Sequence, residues 1–435
     1  MNLSYDCIVI GGGPAGSTAA TLLADAGRKT LVVERTRFPR FHIGESLMPE
    51  TYWVFKRLGM LEKLKASNFV RKHSVQFVTA SGKESQPFYF EDMNPHECSV
   101  TWQVLRSEFD RMMLDNAAEH GAEVWQDSNV SDVILEAPHE DVYPRATGVV
   151  VSREGGPPQR LSARVVIDAT GTNAMLSRRL GIRRPDPKLR KAAYFAHYKG
   201  CRRDSGRDEG ATLVLSTKDQ DGWFWYIPLP DDIVSIGVVG DLDRLITANR
   251  QTPEKTLESE IANCIALGPR MEKATRVSPV HVLCDFSYRA SRCAGEGWVL
   301  IGDAFGFLDP MYSSGVYFAL KSGEMAADCI KEAFAANDFS AGRLSRWGAE
   351  FSEGMQAIRK LVYAFYTREF SFGSFIRQYP DMKKNIVDLL IGNVWRPGIN
   401  DVFEPMSLSV ALPQSIPLDP PAAPRREPAA AAASR

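Results

Sequence analysis

The stretch Cys7-Ile8-Val9-Ile10-Gly11-Gly12-Gly13-Pro14-Ala15-Gly16 decides the fold. Its apolar start reads as a buried strand. Three glycines in G-x-G-x-x-G spacing follow, Gly11, Gly13 and Gly16, and Ser17 to Ala24 then has helical character. Gly11 makes the tight turn, Gly13 lets backbone approach a pyrophosphate, and Gly16 lets helix and strand pack closely. The pyrophosphate would meet the free N–H groups and positive dipole end of that helix. A second apolar run, Lys29 to Val33, ends at Glu34, 18 positions after Gly16, where ribose hydroxyls need an acceptor. A glycine turn alone is common in structural use. Strand, turn, helix and acid in this order predict a dinucleotide site.

The chain has 435 residues, room for two domains or one elaborated one. With 44% hydrophobic and 24% charged residues it has an ordinary globular composition. The formal net charge of -1 argues against a nucleic-acid partner, which would require a basic surface. Seven scattered cysteines without a C-x-x-C pair point to reduced thiols, a cytoplasmic location, and neither zinc site nor disulfide framework. No signal-peptide pattern precedes the first strand, and no 18-residue apolar run predicts a membrane span. Residues 411–435 are rich in Pro and Ala and poor in large apolar side chains, which predicts a disordered tail.

Two later strands also stop at glycine turns. Val165-Val166-Ile167 runs into Asp168-Ala169-Thr170-Gly171, and Trp298 to Ile301 runs into Gly302-Asp303. With Arg106 at a helix start, these turns resemble the three FAD motifs of the flavoprotein monooxygenase superfamily, over roughly residues 5 to 395. The resemblance implies an α/β fold. A Rossmann-like FAD-binding domain of the p-hydroxybenzoate hydroxylase type would comprise residues 1–75, 100–185 and 280–340. An inserted, mixed β-sheet substrate domain would take 76–99 and 186–279, and a helical C-terminal region 341–410. It further implies that FAD is held by Gly11, Gly13, Pro14, Ala15, Gly16, Arg35, Gly44, Ser46, Gly302, Gly315 and Val316. Glu34 would hold the adenosine ribose, Arg106 the pyrophosphate side, and Asp303 the ribityl chain.

Within that superfamily, Trp223-Phe224-Trp225-Tyr226-Ile227-Pro228 resembles the W-x-W-x-I-P signature of flavin-dependent halogenases. By spacing alone, two tryptophans at i and i+2 share one face of a strand and suit core packing. Phe41 to Pro49 is similar to the G-E-S loop of halogenases acting on pyrroles and phenols, and Lys72 stands where those enzymes carry their essential lysine. Ser74 replaces a glycine common in the family. The resemblance implies halogenation of an electron-rich aromatic, a phenol or pyrrole, free or tethered to an acyl carrier protein. Reduced FAD, O₂ and chloride or bromide would give hypohalous acid, which passes to Lys72. Ser313, Ser314 and Gly315 would bind the halide at a helix start. Glu45 would position the substrate proton or steady Lys72. Trp223, Trp225, Ile227 and Pro228 would wall the tunnel between flavin and substrate. A neutral amine at Lys72 would need its pKa lowered from about 10.4 by burial. No second G-x-G-x-x-G follows a strand, so reduced flavin is expected from a separate NAD(P)H-dependent flavin reductase. An aromatic monooxygenase or a geranylgeranyl-reductase-like oxidoreductase is the competing expectation, and Lys72 discriminates between them and a halogenase.

Overall fold

A computed structural model of the chain describes residues 4–92, 94–136 and 144–420. Ser4–Ile10 is the central strand of a largely parallel sheet. It pairs in parallel with Gln159–Asp168 on one side and Thr30–Val33 on the other. Trp298–Leu300 extends the sheet beyond Asp168, and Glu123–Trp125 extends it beyond Val33. Cys7, Ile8, Val9, Val165, Val166 and Ile167 are all fully buried, as expected for apolar runs in a sheet covered on both faces. The register sets Ile10 beside Asp168 and Asp168 beside Leu300, so the three glycine turns leave one sheet edge together. In open parallel sheets that carboxyl edge is where ligands bind.

Helix Pro14–Asp25 begins with proline in its first turn, where no N–H is missed. The glycine loop is tight. A Cβ on Gly16 would stand 2.0 Å from the Gly11 carbonyl oxygen, and Gly11 adopts φ +108°. Only glycine satisfies both demands.

A second sheet is built from Lys191–Lys199, Thr212–Ser216, Gly222–Pro228 and Val234–Asp241. Strict alternation gives it two unlike faces. Tyr194, Leu213, Phe224, Tyr226, Ile236 and Val238 form a satellite core with Leu257 and Leu267. Ala193, Phe195, Val214, Trp223, Trp225 and Ile227 belong instead to the main core, toward the first domain. Ser74–Val78 pairs with Thr212–Ser216, and His281–Cys284 pairs with Lys191–Lys199, so the ladders of this sheet draw in strands from 74 to 284.

The C-terminal region is helical, with Gly348–Tyr366 and Lys383–Ile391 its longest parts. The expected disorder from residue 411 is corrected for the first ten residues. Carbonyls of Pro413, Gln414, Ile416 and Pro417 accept hydrogen bonds from Gln356, Arg359 and Arg289. Leu412 and Leu418 pack on the main core. Two leucines and three long donors suffice to fix a segment that composition alone assigns to solvent. The remainder of that expectation, 421–435, lies outside the described residues. Among the described residues, no helix is long and apolar enough to cross a membrane.

Candidate active site

A cavity of about 620 Å³ runs from the glycine loop, past the Phe41 to Ser46 loop, to the inward face of the second sheet. Gly11, Gly13, Pro14 and Ala15 border one end, while Gly16 sits behind them in the strand–helix contact. Glu34 is buried at this end. Its carboxylate accepts the N–H of Gly12 at 2.9 Å and both the N–H and hydroxyl of Thr36 at 3.0 and 2.8 Å. A Cβ added at Gly13 would find only the Arg40 guanidinium, at 3.6 Å. Arg40 thus places a cation over the bare backbone where a pyrophosphate would lie, with Arg35 also on the wall. Arg40 was not singled out by any motif. Its one signal was the basic loop between Arg35 and Phe41.

Gly302 and Asp303 border the cavity from the third turn, and burial pushes the Asp303 carboxyl up to about 6. Asp168 plays another part: its carboxylate accepts the N–H groups of Thr170 and Leu176, capping its own turn. Exposed glycine backbone, a cation above it, and an acid at each of two turns fit an FAD laid across the sheet edge.

Arg106 lines the cavity, and its guanidinium is bonded on several sides. Its Nε and Nη2 donate to Asp110 at 2.7 and 2.9 Å, and its Nη1 donates to the carbonyls of Ile43 and Gly44. Arg40 shares the same carboxylate at 3.0 Å. Burial alone would raise Asp110, but the Arg106 charge and hydrogen bonds hold it below the usual carboxylate range. Arg106 therefore fixes the G-E-S loop. Asp110, one helical turn on, thus holds both of these guanidiniums, which border the cavity.

Helix Ser314–Ala336 starts from Ser313, in the left-handed region at φ 57°. Ser313, Gly315 and Val316 border the cavity, and Ser314 is buried beside them. A Cβ on Gly315 would stand 2.9 Å from the Phe307 ring, so the helix start is kept bare. Just upstream, the buried Asp309 accepts the Met311 N–H at 2.9 Å and the Tyr366 hydroxyl at 3.0 Å. That hydroxyl accepts the Trp223 indole N–H at 3.0 Å. The chain of bonds ties the helix start to the aromatic strand and the C-terminal region. Burial raises Asp309 to about 7.

Trp223, Trp225 and Ile227 face the cavity, while Pro228 ends their strand opposite Val234. Gly237 makes room for Trp225. A Cβ there would come within 2.3 Å of the indole and 2.5 Å of Phe195. Ser235 accepts the Trp225 N–H at 3.1 Å and sets the ring angle.

Lys72 ends the short strand Val70–Lys72, opposite Thr101. It is buried. Its Nζ donates to the Ser46 hydroxyl at 2.8 Å and the Leu47 carbonyl at 3.1 Å, with the Phe90 ring 5.5 Å away. Neither hydrogen-bond partner is an acid, and burial pushes the amine down to about 7. Ser46 borders the cavity, so the amine stands one hydrogen bond behind its wall. Ser46 in turn meets the Thr212 hydroxyl at 3.0 Å, which accepts from Gln103 at 2.8 Å. Ser74 lies in an extended strand, where the glycine of the family pattern is not required.

Glu45 does not steady Lys72. Its Oε1 lies 2.6 Å from His197 Nε2, and both side chains are buried. His197 was missed because nothing in a strand sequence says which far loop its ring will meet.

A sheet edge of this kind defines an FAD-binding oxidoreductase, and residues 4–321 match the FAD binding domain family. A brominase of 1H-pyrrole-2-carbonyl groups on a peptidyl-carrier protein, from Pseudoalteromonas luteoviolacea, is 35% identical over 393 residues, covering 89% of this chain and 92% of the relative. The corresponding chlorinase of Pseudomonas fluorescens is 30% identical over 433 residues, 95% of this chain and 94% of that one. The solved flavin-dependent brominase Bmp2 superposes with a TM-score of 0.82 at 31% identity, covering 93% of this chain and 98% of that chain. The myxobacterial chondrochloren halogenase CndH gives a TM-score of 0.77 at 28% identity, with 94% and 97% covered. The chain belongs to the flavin-dependent halogenases.

Proposed function

We propose that this chain halogenates a pyrrole carried as a 2-carbonyl thioester on a peptidyl-carrier protein, with Lys72 as the group that delivers the halogen. The buried, acid-free environment of Lys72 carries this reading. Bound FAD, once reduced, supplies the electrons that activate O₂, and the protein's own residues do the rest. Gly11, Gly13 and Arg40 hold the pyrophosphate, with Glu34 and Asp303 on the sugar hydroxyls. The bare helix start at Ser313 and Gly315 offers free N–H groups to a halide. Hypohalous acid crosses the cavity to the amine. A neutral Lys72 amine can take the halogen and release water, forming an N–halogen bond. The electron-rich ring then attacks that halogen and loses its proton as the N–H is restored. The aromatic wall of Trp223 and Trp225 keeps the ring from the flavin.

Two relatives of high coverage act on carrier-bound pyrrole, which favours that substrate over a free phenol. The sequence offers one dinucleotide loop, spent on FAD, which favours a separate reductase as electron source. The test supplies a flavin reductase, NADH, O₂ and bromide or chloride, with pyrrole-2-carbonyl carrier protein or free phenols. Mass spectrometry reads the isotope doublet of a halogenated product. Product on the carrier-bound pyrrole is expected. Product on free phenols alone would overturn the substrate assignment.

A further inference from the structure

We propose that the Ser46 hydroxyl is the proton relay of Lys72, the group through which the buried amine exchanges protons with the cavity. The inference deepens the halogenation reading and rests on it for its part in turnover. Three observations carry it. First, among the described residues the amine donates to two groups, the Ser46 hydroxyl at 2.8 Å and the Leu47 carbonyl at 3.1 Å, and the Phe90 ring lies 5.5 Å away. A carbonyl accepts a hydrogen bond but has no proton to pass on, and neither has the ring. A hydroxyl accepts at its oxygen and donates its own proton. Of these neighbours, Ser46 is the one that can relay.

Second, the hydroxyl protons can be counted. Gln103 is fully buried, and its Nε2 donates to the Gly210 carbonyl at 2.9 Å and to Thr212 Oγ1 at 2.8 Å. The Gly210 carbonyl fixes which end of the amide carries the hydrogens. Thr212 Oγ1 thus accepts from Gln103, Ser46 Oγ accepts from Lys72, and the two hydroxyls share one bond of 3.0 Å. That bond uses one of their two protons and leaves the other unspent. Third, Ser46 and Thr212 both border the cavity, so the spare O–H belongs to its wall, while the amine stands behind. In one direction the ammonium gives a proton to Ser46 Oγ as the spare hydroxyl proton passes to a cavity water, leaving neutral amine and hydronium. In the other, a proton given up to cavity water by the halogenated ring returns by the same route as the N–H of Lys72 is restored.

The test compares Ser46→Ala and Ser46→Gly with the parent chain. In isotope-labelled, flavin-free protein, NMR reads the exchange of the Lys72 Nζ hydrogens with water under conditions where the amine is protonated. In turnover, mass spectrometry reads product per flavin oxidised, in ordinary and in heavy water. Ser46→Ala should slow the Nζ exchange about tenfold and lower product per flavin by a similar factor, less than the loss of the acid–base group itself would give. Its solvent deuterium isotope effect on product formation should rise, because proton transfer becomes the slow step. Ser46→Gly, which leaves room for a water in place of the hydroxyl, should recover most of the exchange and of the product. Unchanged or faster Nζ exchange in Ser46→Ala would overturn the relay, as would a Ser46→Gly that exchanges as slowly as Ser46→Ala. A parent chain that oxidises flavin but yields no halogenated product would overturn the halogenation reading, and the exchange result would stand apart from it.

Discussion

Two buried cations stand on either side of the G-E-S loop and behave in opposite ways. Arg106 is surrounded by oxygen: one carboxylate takes two of its N–H groups and two loop carbonyls take a third. A guanidinium remains charged under all ordinary conditions, so this is a permanent structural charge with its counter-ion built in. Lys72 has a hydroxyl and one carbonyl, no acid, and a ring beneath it. Its charge is the part that the surroundings do not support. The difference teaches where each residue's work lies. Arg106 holds the loop, and Lys72 can change its protonation near neutral pH.

The sharpest way to break that contrast is to make the second cation like the first. Lys72→Arg keeps a positive group but cannot give a neutral amine, so halogenated product should fall at least about a hundredfold, the scale expected for removing a group that takes part in the chemistry. Product analysis by mass spectrometry, with flavin binding followed by absorbance, checks it. Removing the permanent charge acts on stability instead. Arg106→Leu leaves Asp110 with Arg40 alone, and losing one partner of a buried ion pair costs about 3–5 kcal/mol. Denaturant unfolding should show that loss, and Asp110→Leu added to it should recover a large part.

A smaller effect tests the aromatic wall of the cavity. Gly237→Ala puts a methyl where Trp225 and Phe195 already stand, an overpacking cost of about 1–3 kcal/mol. Thermal unfolding should register it while FAD binding is kept, because the glycine turns are untouched. Smallest at each step, though spread over a wide window, is the pH slope of stability. In the unfolded chain lysine titrates near 10.4, and in the fold Lys72 titrates at about 7. Between those values the unfolded chain holds the extra proton, so Lys72 makes stability rise with pH across that window, by up to about 1.4 kcal/mol per pH unit. Below pH 7 its cost is constant. Lys72→Met should remove this contribution from the pH dependence of the unfolding midpoint.

The fold was legible because its signals are local. Gly11, Gly13, Gly16 and Glu34 lie within one strand–helix–strand run, and alternation along 192–239 marks a sheet with two unlike faces. Motifs name Lys72, Trp223 and Ser313, and the structure places Trp223 and Ser313 on the cavity wall and Lys72 one hydrogen bond behind it. Partners are not legible in the same way. Nothing along the chain announces Asp110 on Arg106, or His197 reaching Glu45 from a strand 152 positions away. Arg40, Asp309 and Tyr366 carry no motif at all. Such pairings come from long-range packing, and no spacing rule along the chain encodes them.

The most direct measurement is an NMR titration of the Lys72 side chain in the flavin-free protein, assigned by comparison with Lys72→Met. The account predicts a midpoint near 7, with a neutral amine on the alkaline side. A Lys72 that stays protonated up to pH 10 would contradict it, since the amine would then be an ordinary solvated cation unable to take a halogen.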